Sequence, residues 1–214
     1  MNNTTITRWL NPFFTELDQA IGLPASLLDV GCGSSTPLAK LRSRPKHLVG
    51  ADGFQPSIDT SRKNNFHDDY VNTDLLDIDR AFEPDAFEIV VALDVIEHFS
   101  KEDGIKLLQK MESIASKRVI VFTPNGFLPQ NEHSGNILQR HLSGWSAEEM
   151  EQLGYQVIGI NGWKPLLGEF ALPKFWPKKL WALISRLTQP LVRNHPNHAF
   201  AILCIKDMQS ISHG

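Results

Sequence analysis

Cysteine is scarce in this 214-residue chain: Cys32 and Cys204 are the only two. Such a count excludes a disulfide framework and fits a reducing compartment. Long apolar runs are missing as well, and no stretch approaches the ~18 residues of a bilayer-crossing helix. There is no basic excess: 21 Lys and Arg stand against 24 Asp and Glu, for a formal charge of −3. Phosphate contacts demand a basic face, so a nucleic-acid partner is not expected. The opening Met1-Asn2-Asn3-Thr4-Thr5 has neither the basic start nor the apolar stretch of a secretory signal, and the expectation is a cytoplasmic protein. What is present is 42% apolar and 21% charged residues, enough to bury the core of one domain over residues 1–214.

The pattern alternates short apolar runs with helical stretches, which predicts an α/β fold with a largely parallel sheet covered on both faces. Leu27–Val30, His47–Ala51, Asp69–Asn72, Phe87–Leu93 and Arg118–Phe122 read as successive strands. Gln156–Ile160 and Ala199–Ile205 would complete a sheet of seven. A cap helix is expected within residues 1–22, from Trp9 to Ile21, with Pro12 near its first turn. Thr36-Pro37 reads as an N-cap with proline at the first helical position, and Ser100-x-x-Asp103 and Ser146-x-x-Glu149 read as capping boxes.

Chemistry concentrates at strand ends. Leu28-Asp29-Val30-Gly31-Cys32-Gly33-Ser34-Ser35-Thr36 carries a strand into glycines and then toward a helix start. Glycine lets backbone approach a ligand closely, and a helix N-terminus offers free N–H groups. Asp52 ends the second strand, where a carboxylate can accept from both hydroxyls of a ribose, and Asp74 ends the third. Acids at the ends of parallel strands converge on the edge where ligands of open α/β folds bind.

These anchors, with Ala92-Leu93-Asp94-Val95-Ile96-Glu97-His98-Phe99, resemble the class I S-adenosylmethionine-dependent methyltransferases over about Ser26 to Lys206. The resemblance implies a Rossmann-like seven-stranded sheet in the order 3-2-1-4-5-7-6, strand 7 antiparallel, with helices on both faces. It implies S-adenosyl-L-methionine as cofactor. Asp29 with the Gly31 and Gly33 backbone would hold the methionine end, and Leu93 would line that portion. Asp52 would take the ribose, Phe54 would lie near the adenine, and Asp74 with the Leu75 amide would bind it. Ser35 stands where many members carry a third glycine. Val95-Ile96-Glu97-His98 and Phe122-Thr123-Pro124-Asn125-Gly126 look like the branch that methylates small molecules, including quinone precursors and sugars of bacterial surface glycans. Two alternatives stand beside this reading, a nicotinamide-dependent oxidoreductase and a non-catalytic S-adenosylmethionine-binding partner.

His98, just past the fourth strand, is the candidate catalytic residue. An imidazole near its free pKa can take a proton from a hydroxyl acceptor, and the alternative is that it only packs or orients Glu97. His133 and His141 flank a long connection, Thr123 to Leu142, from which either could reach over the substrate, although surface roles are expected for both. His195 and His198 are spaced like a metal pair, but Pro196 breaks the helix that would align them and no acid or cysteine joins them, so no metal is expected. Residues 163–193 form an insertion between the last two strands, with six Lys and Arg against one acid and five aromatics. Three roles fit it: a helix covering the sheet edge with its charges outward, a lid on the acceptor, or a membrane-surface helix.

Overall fold

A strand buried on both faces must be apolar at nearly every position, and the central strands are apart from a few residues such as Asp29 and Glu88. In β4 (Phe87–Leu93), Val90 and Ala92 enter one core while Ile89, Val91 and Leu93 enter the other. The computed structural model describes residues 11–42, 44–130, 140–168 and 172–208. Within them β1 (Ser26–Val30), β2 (His47–Asp52), β3 (Asp69–Asn72), β4, β5 (Ala115–Pro124), β6 (Gln156–Trp163) and β7 (Ala199–Asp207) form one sheet. Its order is 3-2-1-4-5-7-6. β1 to β5 pair in parallel, and β7 runs antiparallel to β5 and β6. This is the Rossmann-like order expected from the sequence.

Helices cover both faces. On one, Leu107, Met111 and Ile114 of α3 (Lys101–Ile114, after the shorter α2, Gln55–Lys63) and Met150 of α4 (Ala147–Gln152) pack with Trp145. On the other, Phe13, Leu17 and Ile21 of α1 (Pro12–Ile21) pack against Ile120 and Phe122. Ser100 caps α3 through the Asp103 amide, and Ser146 with Glu149 closes a full capping box on α4. α1 begins at Pro12 with Asn11 as its cap, later than the expected Trp9, which lies outside the described residues.

A full helix after Thr36-Pro37 is not formed. Thr36 does cap, its hydroxyl accepting from the Leu38 amide, but only a single 3-10 turn, Pro37–Lys40, follows. Few residues separate Thr36 from Pro45, and the chain must regain the opposite edge of the sheet before β2 starts. Between β6 and β7 lie α5 (Lys178–Leu187) and α6 (Gln189–Arg193). Among the described residues no helix is long and apolar enough to cross a membrane.

Candidate active site

The parallel strands all end at one edge, and the turns leaving them build two adjoining cavities. The smaller, about 340 Å³, is lined by residues including Gly31, Asp52, Asp74, Leu75 and Asp94. The larger, about 550 Å³, is walled by Leu93, Glu97, Phe122, His141, Asn161 and Phe200 among others. Gly31, Gly33, Asp94 and His98 belong to both walls. Both volumes suit a small molecule.

The glycine turn is shaped by close approach. Gly31 has φ +72°, and a Cβ there would fall 2.6 Å from Val95 Cγ2. The turn is tied to β2 by Asp52, whose Oδ2 accepts from the Gly33 amide at 2.9 Å and whose Oδ1 accepts from the Phe54 amide at 2.8 Å. Asp52 is thereby held in one orientation with lone pairs left on both oxygens. Asp74 is exposed at the end of β3, one oxygen accepting from the Leu76 amide at 2.9 Å. Leu75 beside it is buried and lines the smaller cavity.

Two expected contacts are displaced. Asp29 is buried and is absent from both cavity walls; its Oδ2 accepts from the Thr36 hydroxyl at 2.8 Å and pairs with His67 Nε2 at 2.9 Å. His67 in turn contacts Ser61, which contacts Tyr70. Asp29 thus braces the glycine turn from behind, because β1 alternates its side chains and position 29 faces into the fold. Phe54 is also off both walls, half-buried at the start of α2, and meets the site through its amide. Gly31, Gly33, Asp52, Asp74, Leu75, Leu93 and His98 do line the cavities.

Asp94, Glu97 and His141 were not singled out as site residues in the sequence. Asp94 follows β4 with φ +56°, a left-handed conformation that aspartate tolerates better than most residues, and its amide donates to the Phe122 carbonyl at 2.9 Å. It is open to the cavities yet ringed by protein, and burial raises its pKa to about 7. Glu97 is 2% exposed, and burial, then the Asp94 carboxylate, hold it well above the usual carboxylate range. Burial pushes His98 and His141 down from the ordinary imidazole value, so both rings are neutral near pH 7. The backbone amides of Leu142 and Ser143 donate to the Glu97 carbonyl at 2.8 and 3.1 Å, which brings His141 to within a ring contact of His98, 4.9 Å between centroids. The signal for Asp94 and Glu97 was the uninterrupted Asp94-Val95-Ile96-Glu97-His98 stretch itself; His141 comes from a distant loop and had no local signal.

No described residue between 163 and 193 lines either cavity, so the expected lid finds no support there. His133 lies outside the described residues.

Residues 28–122 match the family described as Methyltransferase domain. No curated protein matches the sequence. Among solved structures, a SAM-dependent methyltransferase from Archaeoglobus fulgidus superposes with TM-score 0.57 at 16% identity, over 96% of this chain and 95% of that one. The protein solved with the Haloferax volcanii Trm112 methyltransferase activator gives TM-score 0.58 at 15% identity, over 99% and 95%. A plantazolicin methyltransferase in complex with a triazolic desmethylPZN analog and SAH gives 0.51 at 15%, over 97% and 84%. At these identities the superpositions speak to the fold, and the domain match on the very strands that build the smaller cavity speaks to the activity. Residues 28–122 thus match a methyltransferase domain within a sheet of the class I S-adenosylmethionine-dependent methyltransferase order, which supports S-adenosylmethionine as the cofactor.

Proposed function

We propose that the enzyme methylates a hydroxyl of a small, hydroxyl-rich molecule, a sugar of a surface glycan being the kind of acceptor that fits. The observation carrying this is the larger cavity, whose wall mixes hydrogen-bonding side chains (Ser34, Ser35, Gln130, Asn161) with the rings of Phe122 and Phe200. Such a lining matches a sugar, which offers hydroxyls at its rim and apolar C–H faces.

The smaller cavity fits the cofactor. Asp52, fixed by two backbone amides, has lone pairs to accept from the ribose hydroxyls. Asp74 and the Leu75 amide hold the adenine, and the Gly31 and Gly33 backbone with Leu93 hold the methionine end, while Asp29 acts on that turn through Thr36 and His67. When bound, S-adenosylmethionine supplies a methyl group on a sulfonium, which a nucleophile displaces with the C–S electron pair returning to sulfur. The acceptor oxygen forms the new C–O bond and must shed its proton. Asp94, on the wall shared by both cavities, is placed to receive it. Orientation of the acceptor by the cavity wall supplies the rest.

Calorimetry with S-adenosylmethionine and with NAD, followed by S-adenosylhomocysteine release on a panel of sugars, phenols and amines, tests this. Binding of the first ligand alone with release on sugars is the expected result. Release only on amines would sink the hydroxyl assignment, and binding without release on any acceptor would favour a partner protein. If Asp94→Asn retains turnover while His98→Ala loses it in metal-free enzyme, the proton goes to His98.

A further inference from the structure

Glu97, His98 and His141 each aim a donor atom at one point. One carboxylate oxygen and one ring nitrogen from each histidine all lie within 4.8 Å of one another, on the wall of the larger cavity. The two rings are set in the same way. His98 Nδ1 lies 3.2 Å from the Arg140 carbonyl, and His141 Nδ1 lies 2.6 Å from the Leu128 carbonyl. A carbonyl only accepts, so in each ring Nδ1 carries the proton and Nε2 keeps a bare lone pair. A backbone carbonyl behind an imidazole is the support that metal-binding histidines use.

The carboxylate is set to match. Glu97 Oε2 accepts from the Thr123 hydroxyl at 3.0 Å, whereas Oε1 is buried with no hydrogen-bond partner among the described residues. Buried polar atoms are nearly always satisfied, so an orphan carboxylate oxygen beside two bare imidazole nitrogens points to a missing partner of positive charge. The distance of 44 positions in sequence between Glu97 and His141 does not loosen this arrangement, since the Leu142 and Ser143 amides fasten that segment to the Glu97 backbone.

We infer that Glu97, His98 and His141 bind a divalent first-row transition-metal ion on the acceptor side of the active site. Two nitrogens and one carboxylate are the donor set of zinc and its neighbours rather than of magnesium or calcium, which take oxygen. Metal bonds of about 2.1 Å set tetrahedral ligand atoms about 3.4 Å apart, so the three side chains close in by about an ångström on binding. Three protein ligands leave at least one coordination position, and the cavity beside it can offer an acceptor hydroxyl. A hydroxyl on such an ion loses its proton more readily, here toward Asp94. Only this last role rests on the methyl-transfer reading; the binding itself does not. It also replaces the metal-free site expected from sequence, and gives His98 a ligand's task in place of the proton acceptor's.

The test is binding of the metal alone. Chelator-treated, dialysed full-length enzyme is titrated with Zn²⁺ by calorimetry and with Co²⁺ by visible absorption, and Mg²⁺ serves as the contrast. One Zn²⁺ per chain with a Co²⁺ d–d band, and no comparable Mg²⁺ binding, is the expected result. Glu97→Gln keeps the shape of the buried residue, and His98→Ala alters a half-exposed one; each should weaken Zn²⁺ by more than about tenfold, since even supporting groups behind ligands cost that much. Asp52→Ala should leave Zn²⁺ affinity within about twofold while losing S-adenosylmethionine. Circular dichroism establishes that each variant is folded. Wild-type enzyme that takes S-adenosylmethionine but no Zn²⁺, or folded Glu97→Gln and His98→Ala variants that take Zn²⁺ as wild type does, would overturn the site. Zn²⁺ bound at these residues in a protein that does not bind S-adenosylmethionine would overturn the proposed function and leave the metal site standing.

Discussion

The edge built by β1 to β4 and the segment between β6 and β7 use leucine and polar residues in opposite ways. Beneath the edge, leucines such as Leu28 and Leu107 are fully buried and the acids Asp52, Asp74 and Asp94 open outward. In α5 the leucines Leu180, Leu183 and Leu187 are 51%, 54% and 69% exposed, while Ser185 is buried. Gln189, at the start of α6, is buried too, donating to the Gly159 carbonyl at 2.7 Å and accepting from the Gly162 amide at 2.9 Å. Thr188 accepts from the Trp163 amide at 2.8 Å. The segment docks with these polar side chains beside the apolar Trp181, Ile184 and Val192, because the β6 backbone departs from regular pairing with β7 between Ile160 and Trp163 and needs hydrogen-bond partners. Lys178, Lys179 and Arg186 are exposed as well, so this helix turns its charges and three of its leucines outward together. Helical spacing identifies a stripe, and the neighbours decide which stripe turns inward.

Substitutions in the two regions should separate their roles, the largest effects falling at the edge. Asp94→Asn should lower kcat by about 10²–10⁴-fold, the usual size of a lost general base, with S-adenosylmethionine affinity within a few-fold of wild type. Steady-state turnover alongside calorimetry checks this, and loss of cofactor affinity in place of turnover would make Asp94 a binding residue. Asp52→Ala should cost about 2–4 kcal/mol of cofactor affinity, taking charge-assisted hydrogen bonds at roughly 1.5–3 kcal/mol each with water compensating in part. Asp74→Ala should cost less, since its exposed carboxylate is already in competition with water and the Leu75 amide is unaffected.

A smaller effect concerns pH. Burial raises the pKa of Asp94 and of Glu97 above the ordinary carboxylate values, so the folded chain binds these protons more tightly than the unfolded one. Their contribution to metal-free stability is therefore complete below the ordinary aspartate value of 3.8 and is lost as pH rises toward about 7, where Asp94 ionises. Glu97→Gln, which cannot ionise, should show a shallower fall in Tm over that window. An equal slope in both proteins would mean that Glu97 does not carry the effect. The smallest effect is expected at the other region. Leu183→Ser and Leu187→Ser should each change urea stability by no more than about 0.5 kcal/mol, against about 2–5 kcal/mol for Leu107→Ala. A core-sized loss at Leu183 would break the comparison and show that the outward leucines are covered.

Strand positions, caps and the acidic ends of β2 and β3 were legible because each depends on neighbours within a few residues. Near-continuous apolar runs can only be strands covered on both faces, and Ser146-x-x-Glu149 satisfies its own amides. The crossover after Thr36 was misread for a local reason of another kind: the cap is present, and the chain length beyond it allows only one turn. Asp29 shows the limit more sharply. Its place beside the glycine turn suggested a ligand contact, but His67, 38 residues away, claims the same oxygen.

The sequence by itself determined the sheet, its glycine turn and two of its edge carboxylates, since apolar periodicity and turn chemistry are short-range. Only the tertiary structure decided which leucines of α5 face outward and that His141 meets Glu97 and His98. Those outcomes depend on hydrogen bonds between segments more than 20 residues apart, such as the Leu142 amide to the Glu97 carbonyl and the Gln189 side chain to the Gly159 carbonyl, and no local pattern encodes their pairing.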